Sequence, residues 1–141
     1  MEDDLGPFAC HCTAARRLAR YASRIYERHL APSGTTTTQF SILNHLRDSP
    51  QSTAELANIL AMDRTTLVRA LHPLLSTGLV ASGMADKSSR QKVFSITERG
   101  LRKVAETAPL WSAAQLEYEQ HLGTLHARGL RQEFLELTVQ P

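Results

Sequence analysis

The chain has 141 residues, of which 42% are hydrophobic and 21% are charged, and its formal net charge at pH 7 is +2. This composition is typical of an ordinary globular protein of one domain with a real hydrophobic core. The longest apolar runs are only a few residues, which excludes a membrane-spanning helix, and the acidic start MEDDLGPFAC is unlike a secretory signal. Two cysteines two positions apart cannot staple a fold, so we expect a cytoplasmic protein.

The charge is unevenly distributed along the chain. Residues 52–103 hold 8 basic and 4 acidic side chains, a net +4, whereas residues 104–141 hold 2 and 5, a net −3. A basic centre with an acidic flank suits a domain that presents one face to a polyanion such as nucleic acid.

The first predicted helix runs from near Cys10 to Ala31 and ends at the segment APSG. Apolar side chains recur at steps of three and four, which predicts one packing stripe. The stripe consists of Leu18, Tyr21, Ala22, Ile25, Tyr26 and His29. A second stripe, at steps of four, consists of Arg16, Arg20, Arg24 and Arg28. We interpret the arginines as a solvated face and not as a DNA contact.

Two short helices are predicted next. The threonines of TTTTQF can cap the second helix, which stops at the turn DSP. Ser52 and Glu55 have the spacing of a capping box at the start of the third helix, where each side chain satisfies the other residue's free amide. The predicted buried residues of these helices are Phe40, Leu43 and Leu46, then Leu56, Ile59 and Leu60.

The fourth predicted helix is RTTLVRALHPLLST, capped by Asp63 and ended by Gly78. Its inner side consists of Leu67, Leu71, Leu74 and Leu75. The side chains left to point outward are Arg64, Thr65, Arg69 and His72, with Thr66 near the edge. Because Pro73 lacks an N–H, it predicts a kink between an exposed N-terminal half and a core-anchored C-terminal half.

After Gly78 the hydrophobic period changes to two, which predicts strands LVASGM and KVFSIT joined by the polar turn ADKSSRQ. Thr97 can cap a long fifth helix that begins at Glu98, and Gly123 separates it from a sixth. The apolar positions of these two helices are Leu101, Val104, Ala108 and Trp111, then Leu125, Leu130, Phe134 and Leu137. The predicted fold class is therefore mostly α with a small β-hairpin wing.

A short capped helix, a turn, a helix with a polar face and a basic hairpin, in this order, predict a winged helix-turn-helix. In that arrangement the fourth helix enters the major groove, and the wing can reach the adjacent minor groove. Arginine suits guanine edges or phosphates, and threonine suits phosphate oxygens or a thymine methyl. The candidate DNA-binding residues are Arg64, Thr65, Thr66, Arg69, His72, Lys87, Arg90 and Lys92.

Two segments, STAELANILAMDRTTLVRALHPLLSTGLV and RQKVFSITERG, carry a resemblance to the MarR family of bacterial transcription regulators. In the second segment Arg90 stands seven residues before Thr97-x-x-Gly100, as the family's wing arginine does. The resemblance covers nearly the whole chain. It implies a homodimer whose helices at residues 10–31 and 98–139 interlock, while residues 36–97 bind a pseudo-palindromic operator on double-stranded DNA. It further implies a transcriptional regulator, in the first instance a repressor, with no enzymatic activity and no cofactor.

Two positions depart from the family pattern. Ser88 stands where many members have an aspartate that precedes the wing arginine by two residues, so Arg90 is expected to be held differently. Ala61 stands where a glycine is common in the turn before the recognition helix, so this turn is expected to close in another way.

The resemblance also bears on the signal, because regulators of this kind respond to small aromatic anions, to oxidants or to metals. Aligned with the organic-hydroperoxide sensors of the family, the chain places their reactive cysteine at Cys12, with Cys10 as a possible resolving partner. A helix N-terminus, with Arg16 one turn away, favours a thiolate there. The tyrosines that hydrogen-bond the cysteine in those sensors fall at Thr37 and Phe40, so the hydroperoxide mechanism is supported only in part.

Three alternatives remain. Cys10, His11 and Cys12 could centre a metal-dependent or thiol-based sensor or enzyme, with His121 and His126 as further ligands. Neighbours on a helix point apart and an i, i+5 histidine pair is poorly spaced, so we predict no metal site. Alternatively, both cysteines are inert and an aromatic ligand enters between the dimerisation and DNA-binding parts, or the winged helix is an adaptor that contacts protein.

Overall fold

The computed structural model describes residues 6–87 and 90–139, which form six α-helices and one small antiparallel sheet. The helices are α1 (His11–Leu30), α2 (Thr37–His45), α3 (Thr53–Ile59), α4 (Arg64–Ser76), α5 (Glu98–Leu122) and α6 (Thr124–Thr138). The strands are β1 (Gln51–Ser52), β2 (Val80–Met84) and β3 (Lys92–Ile96). This mostly helical fold with a β-wing confirms the predicted fold class.

Helices α2, α3, α4 and α5 begin at side-chain caps that the sequence predicted. Thr36 caps α2 in a complete capping box with Gln39. At α3 the structure gives only the first half of the predicted capping box, in which Ser52 Oγ accepts the N–H of Glu55 at 3.1 Å. Asp63 caps α4, and Thr97 Oγ1 accepts the N–H of Gly100 at 3.1 Å to start α5. Each cap satisfies an amide that the helix itself leaves free, so the starting residues are locally determined.

The sheet contains a strand that the sequence analysis missed. Its order is β1-β3-β2, with Ser52 opposite Val93 and Gln51 opposite Phe94. A two-residue strand has no hydrophobic period, so only its pairing with β3 reveals it. This pairing attaches the wing to the residues that precede α3.

The hydrophobic core lies under the helix-turn-helix part. Its most deeply buried side chains are Leu30, Ile42, Leu43, Leu46, Leu56, Leu67, Leu71 and Leu74. Several residues of the predicted apolar stripes are instead exposed. Ile59 and Leu101 are each 45% exposed, and Leu18, Tyr21, Leu125, Phe134 and Leu137 are exposed as well. Ala57 occupies the inward position of α3 in place of Ile59, and Gly100 occupies that of α5 in place of Leu101.

Helices α1 and α5 pack against each other through polar contacts as well as apolar ones. The Tyr26 hydroxyl donates to Oε1 of Gln115, and burial raises the pKa of Tyr26 to about 12. Glu117 accepts a hydrogen bond from Arg28, and its Oε1 lies 3.2 Å from Nε2 of His29. Of the arginine stripe, Arg28 therefore contacts α5, while Arg16, Arg20 and Arg24 are exposed.

Substituting Glu117 by glutamine should lower the melting temperature fully at pH values above the unfolded pKa of the glutamate and progressively less as the pH falls below it. The hydrogen bonds from Arg28, then His29, hold the pKa of Glu117 below its usual value. A lowered folded-state pKa contributes stability above the unfolded value, about 4.3, and this stability is lost as pH falls through the folded one. Melting curves between pH 3 and 7, with Glu133→Gln on α6 as control, measure the difference. If the difference in melting temperature between wild type and Glu117→Gln does not change with pH, the charge of Glu117 is not the cause of the stabilisation.

Ala61 closes the turn between α3 and α4 with a φ of +52°, in the left-handed region. The turn therefore closes with alanine itself in the conformation that glycine adopts without strain, and not in the different way that we expected. Ala61→Gly should stabilise the protein by about 0.5–1 kcal/mol, since the relieved strain exceeds the added entropy of the unfolded chain. Gly34→Ala is the matched control. Gly34 has a φ of +71° and an added Cβ would meet no atom within 4 Å, so the backbone strain alone should destabilise the protein. Denaturant unfolding measures both, and a less stable Ala61→Gly would refute the strain.

Candidate nucleic-acid interface

Helix α4 turns one polar face to solvent. Leu67, Leu71 and Leu74 anchor it in the core, and the helix continues through Pro73 without interruption. The candidate contact residues on the outer face are all exposed, namely Arg64, Thr65, Thr66, Arg69 and His72. The core contacts thus hold α4 with its polar side outward.

Val68 lies at the centre of this outer face, and sequence reasoning missed it. It is 55% exposed, because the helical spacing places it between Arg64 and His72 on the solvent side. The spacing of Val68 from Arg64 and His72, four residues each, is the sequence signal that could have found it. Its methyl groups are suited to contact a thymine methyl.

The first turn of α4 is held rigidly. Asp63 accepts two hydrogen bonds from Thr66, from its backbone N–H and from its hydroxyl, both at 2.8 Å. These bonds lower the pKa of Asp63, so the cap stays charged at neutral pH. The hydroxyl proton of Thr66 is thereby committed to the cap, which leaves its methyl and oxygen lone pairs for other contacts.

A basic groove lies between the start of α4 and the base of the wing. Arg64 from α4 lines it together with Arg90 and Lys92 from the wing, and Ser52 and Thr53 form its floor. The groove has a volume of about 270 Å³. The β1–β3 pairing places Ser52 opposite Val93 and hence beside Lys92. We call this site the Arg64 groove.

The structure brings these three cations together although they are far apart in sequence. Ion pairs between described residues do not involve Arg64, Arg69, Arg90 or Lys92. Cationic side chains that protein carboxylates do not neutralise are available to phosphates, and their release of counterions makes binding depend on salt. Lys87 is also exposed, and Ser88 lies outside the described residues.

Both cysteines are free and exposed at the start of α1. Cys10 is the N-cap residue with extended backbone, and its Sγ accepts the N–H of Thr13 at 3.4 Å. This hydrogen bond lowers the pKa of Cys10. Cys12, which the family alignment favoured, lies inside the first turn. The two thiols therefore occupy different backbone conformations, and only Cys10 caps the helix.

The histidines named with the cysteines do not form a cluster with them. His121 packs edge-on against Tyr21 with ring centroids 6.2 Å apart, and His126 is exposed on α6. Within residues 6–87 and 90–139, no group of three His, Cys, Asp or Glu side chains is placed to hold a metal ion.

Thr37 and Phe40 stand at the two positions that are tyrosines in the organic-hydroperoxide sensors. Phe40 is buried beside Trp111, with ring centroids 6.1 Å apart. The hydroxyl oxygen of Thr37 is buried and has no hydrogen-bond partner among the described residues. Neither side chain is a phenol that could form a hydrogen bond with a cysteine sulfur.

Within residues 6–87 and 90–139, no helix has the length and apolarity needed to cross a membrane.

The geometry above defines a winged-helix DNA-binding protein, and comparisons with known proteins agree. Residues 36–100 match the family model of a winged helix DNA-binding domain. The transcriptional regulator MosR of M. tuberculosis, solved in complex with DNA, is 35% identical, with 92% of this chain and 93% of that chain covered and a TM-score of 0.80. No curated protein sequence matches the chain.

Two further solved structures share the fold at lower identity. The repressor CouR bound to a 23-mer DNA duplex is 22% identical over 91% of this chain and 92% of its own, with a TM-score of 0.80. Wild-type MarR from E. coli is 22% identical over 94% and 98%, with a TM-score of 0.71. The chain belongs to the MarR family of transcription regulators, and it is a DNA-binding regulator.

Proposed function

We propose that this protein is a homodimeric transcriptional repressor that acts in the cytoplasm and leaves a pseudo-palindromic operator in response to a small ligand or to thiol oxidation. The observation that carries the proposal is the outer face of α4 beside the Arg64 groove. A helix held by core leucines presents Arg69 and Val68 for base edges, while three cations beside it are suited to backbone phosphates.

Binding to DNA from the promoter upstream of the protein's own gene tests this proposal. We expect a gel shift whose affinity falls steeply with salt, because the Arg64 groove supplies phosphate contacts. Arg64→Ala and Arg90→Ala should each lower the slope of log affinity against log salt by about 1, in both specific and random DNA. Arg24→Ala, an exposed arginine on α1, is the control. If the wild-type protein binds no nearby intergenic DNA, the DNA-binding function is refuted. The alternative of an adaptor that contacts protein would then be favoured.

Exposed apolar side chains on α5, α6 and the N-terminal end support the homodimer. They are Phe8, Leu116, Leu122, Leu125, Phe134, Leu135, Leu137 and Val139. Leu125 and Leu137 are 86% and 82% exposed. Large apolar side chains exposed in such numbers mark an interface, and a second copy related by a two-fold axis also matches a palindromic site.

Replacing both Leu125 and Leu137 by lysine should convert the dimer to a monomer and abolish cooperative operator binding. Light scattering after size-exclusion chromatography gives the mass directly. Ile59→Lys, an equally apolar but isolated exposed site on α3, should leave the dimer intact. A wild-type protein of monomer mass at micromolar concentration would disprove the homodimer.

The cap at Cys10 supports thiol oxidation as a signal. A peroxide would oxidise the Cys10 thiolate to a sulfenic acid and leave as the alcohol or water, and a second thiol would then form a disulfide with loss of water. Cys10→Ser and Cys12→Ser should both keep operator affinity under reducing conditions. We expect peroxide to release operator from wild type but not from Cys10→Ser, which lacks the thiol that attacks the peroxide. Equal release from both variants would remove the cysteines from the mechanism.

A further inference from the structure

One apolar side chain lies in the middle of the polar outer face of α4. Val68 is 55% exposed and stands four residues from both Arg64 and His72. Leucines make the inward side of this helix, so the hydrophobic core does not use Val68. A β-branched side chain also favours a helix less than alanine, lysine or arginine does. The stability of the protomer therefore gives no reason for a valine at this position.

The neighbours of Val68 on the outer face are suited to a phosphate and to a hydrogen-bonding base. Arg64, one turn before Val68, lines the Arg64 groove together with two cations of the wing. Arg69, the next residue, does not line that groove, and the ion pairs between described residues do not involve it. When the groove holds a backbone phosphate and α4 lies in the major groove, Val68 faces the base edges between the two arginines.

Only one feature of the base edges in the major groove is apolar. Thymine presents a methyl group on C5, whereas the other positions present hydrogen-bond donors and acceptors. The side chain of Val68 has neither a donor nor an acceptor, so it cannot read the hydrogen-bonding pattern of a base pair. A methyl group on C5 of cytosine occupies the same place in the groove as the methyl group of thymine. The chemical partner that suits Val68 is therefore the C5 methyl group of a pyrimidine.

The size of this contact follows from the apolar surface that it removes from water. Burying one group of the size of a methylene changes an equilibrium constant by about fourfold. Each protomer carries one Val68, so in the proposed homodimer the contact occurs once in each half-site. The effect depends on a single methyl group, which can be removed from the DNA or from the protein independently.

We propose that Val68 is a specificity-determining residue that contacts the C5 methyl group of one pyrimidine in each half-site, so that operator affinity responds to methylation of that base. Thymine and 5-methylcytosine supply the methyl group, and uracil and unmodified cytosine lack it. The assignment names the group that α4 reads, and it rests on the proposed function, since it requires α4 to lie in the major groove of an operator.

Operator duplexes that differ by single C5 methyl groups test the contact. Each thymine in turn is replaced by uracil, and each cytosine in turn by 5-methylcytosine, so that base pairing is kept. We expect one pyrimidine position in each half-site at which wild type binds the methylated base about fourfold more tightly. Val68→Ala should bind both forms of that base alike, about as weakly as wild type binds the unmethylated form.

Ile59→Ala is the matched control, because Ile59 is an aliphatic side chain 45% exposed on α3. It should keep the full dependence on the methyl group. A wild type that is indifferent to every C5 methyl group overturns the assignment, and so does a Val68→Ala variant that keeps the methyl dependence of wild type.

Two further measurements separate this role from a packing role and from a phosphate contact. Val68→Ala should melt no lower than wild type, because alanine favours a helix, and it should keep the slope of log affinity against log salt. A clearly lower melting temperature or a smaller slope overturns the assignment. Operator binding that does not depend on the methyl group would leave the proposed function standing, whereas a wild type that binds no operator would refute the proposed function itself.

Discussion

Replacing Arg69 by alanine should weaken binding to the preferred operator by about 1–3 kcal/mol, while binding to random DNA changes much less. Arg69 is exposed on the outer face of α4 and does not line the Arg64 groove. Its guanidinium can donate two hydrogen bonds to O6 and N7 of a guanine, and the wrong base cannot accept both. The loss should therefore be confined to sequences that carry the matching guanine.

Fluorescence anisotropy with an operator duplex and a scrambled duplex of equal length measures this specificity directly. Arg64→Ala is the matched comparison on the same helix, because a phosphate contact contributes equally to both duplexes. We expect the operator-to-scrambled ratio to fall by about 5- to 150-fold for Arg69→Ala, which corresponds to 1–3 kcal/mol, and to stay nearly constant for Arg64→Ala. The reverse pattern would show that the base-reading and phosphate-binding roles are exchanged.

Gly100→Ala should destabilise the protein by about 3 kcal/mol or more and strongly reduce the folded yield. A Cβ on Gly100 would stand 2.2 Å from the carbonyl oxygen of Leu79 and 2.6 Å from Cγ1 of Ile96. The carbonyl of Leu79 cannot retreat easily, because it accepts the backbone N–H of Thr97 at 3.1 Å. Relief of the clash thus requires α5 to move away from the sheet, with loss of the packing beneath it.

Gly83→Ala is the control for this substitution, because a Cβ there meets no atom within 4 Å. Alanine in a strand interior is expected to be neutral or slightly stabilising relative to glycine. Chemical denaturation of both variants in the absence of DNA gives the two free energies of unfolding. A Gly100→Ala variant as stable as Gly83→Ala would mean that α5 tolerates displacement at its first turn.

Local sequence signals predicted the helix starts well, because a cap depends on residues three positions apart. Thr97 and Gly100 illustrate this, and so do Asp63 and Thr66. Burial was predicted less well where a helix is short or packs obliquely. Ile59 and Leu101 follow the apolar period, yet the docking of α3 and α5 turns Ala57 and Gly100 inward instead.

The sequence by itself determined the order of the helices, the wing and the polar face of α4, because caps, turn residues and hydrophobic period act between near neighbours. Only the tertiary structure decided that Arg64, Arg90 and Lys92 share one groove, since a two-residue strand without any period joins the wing to α3. It likewise distinguished Cys10, which caps α1, from Cys12, because the difference depends on where the first helical turn begins.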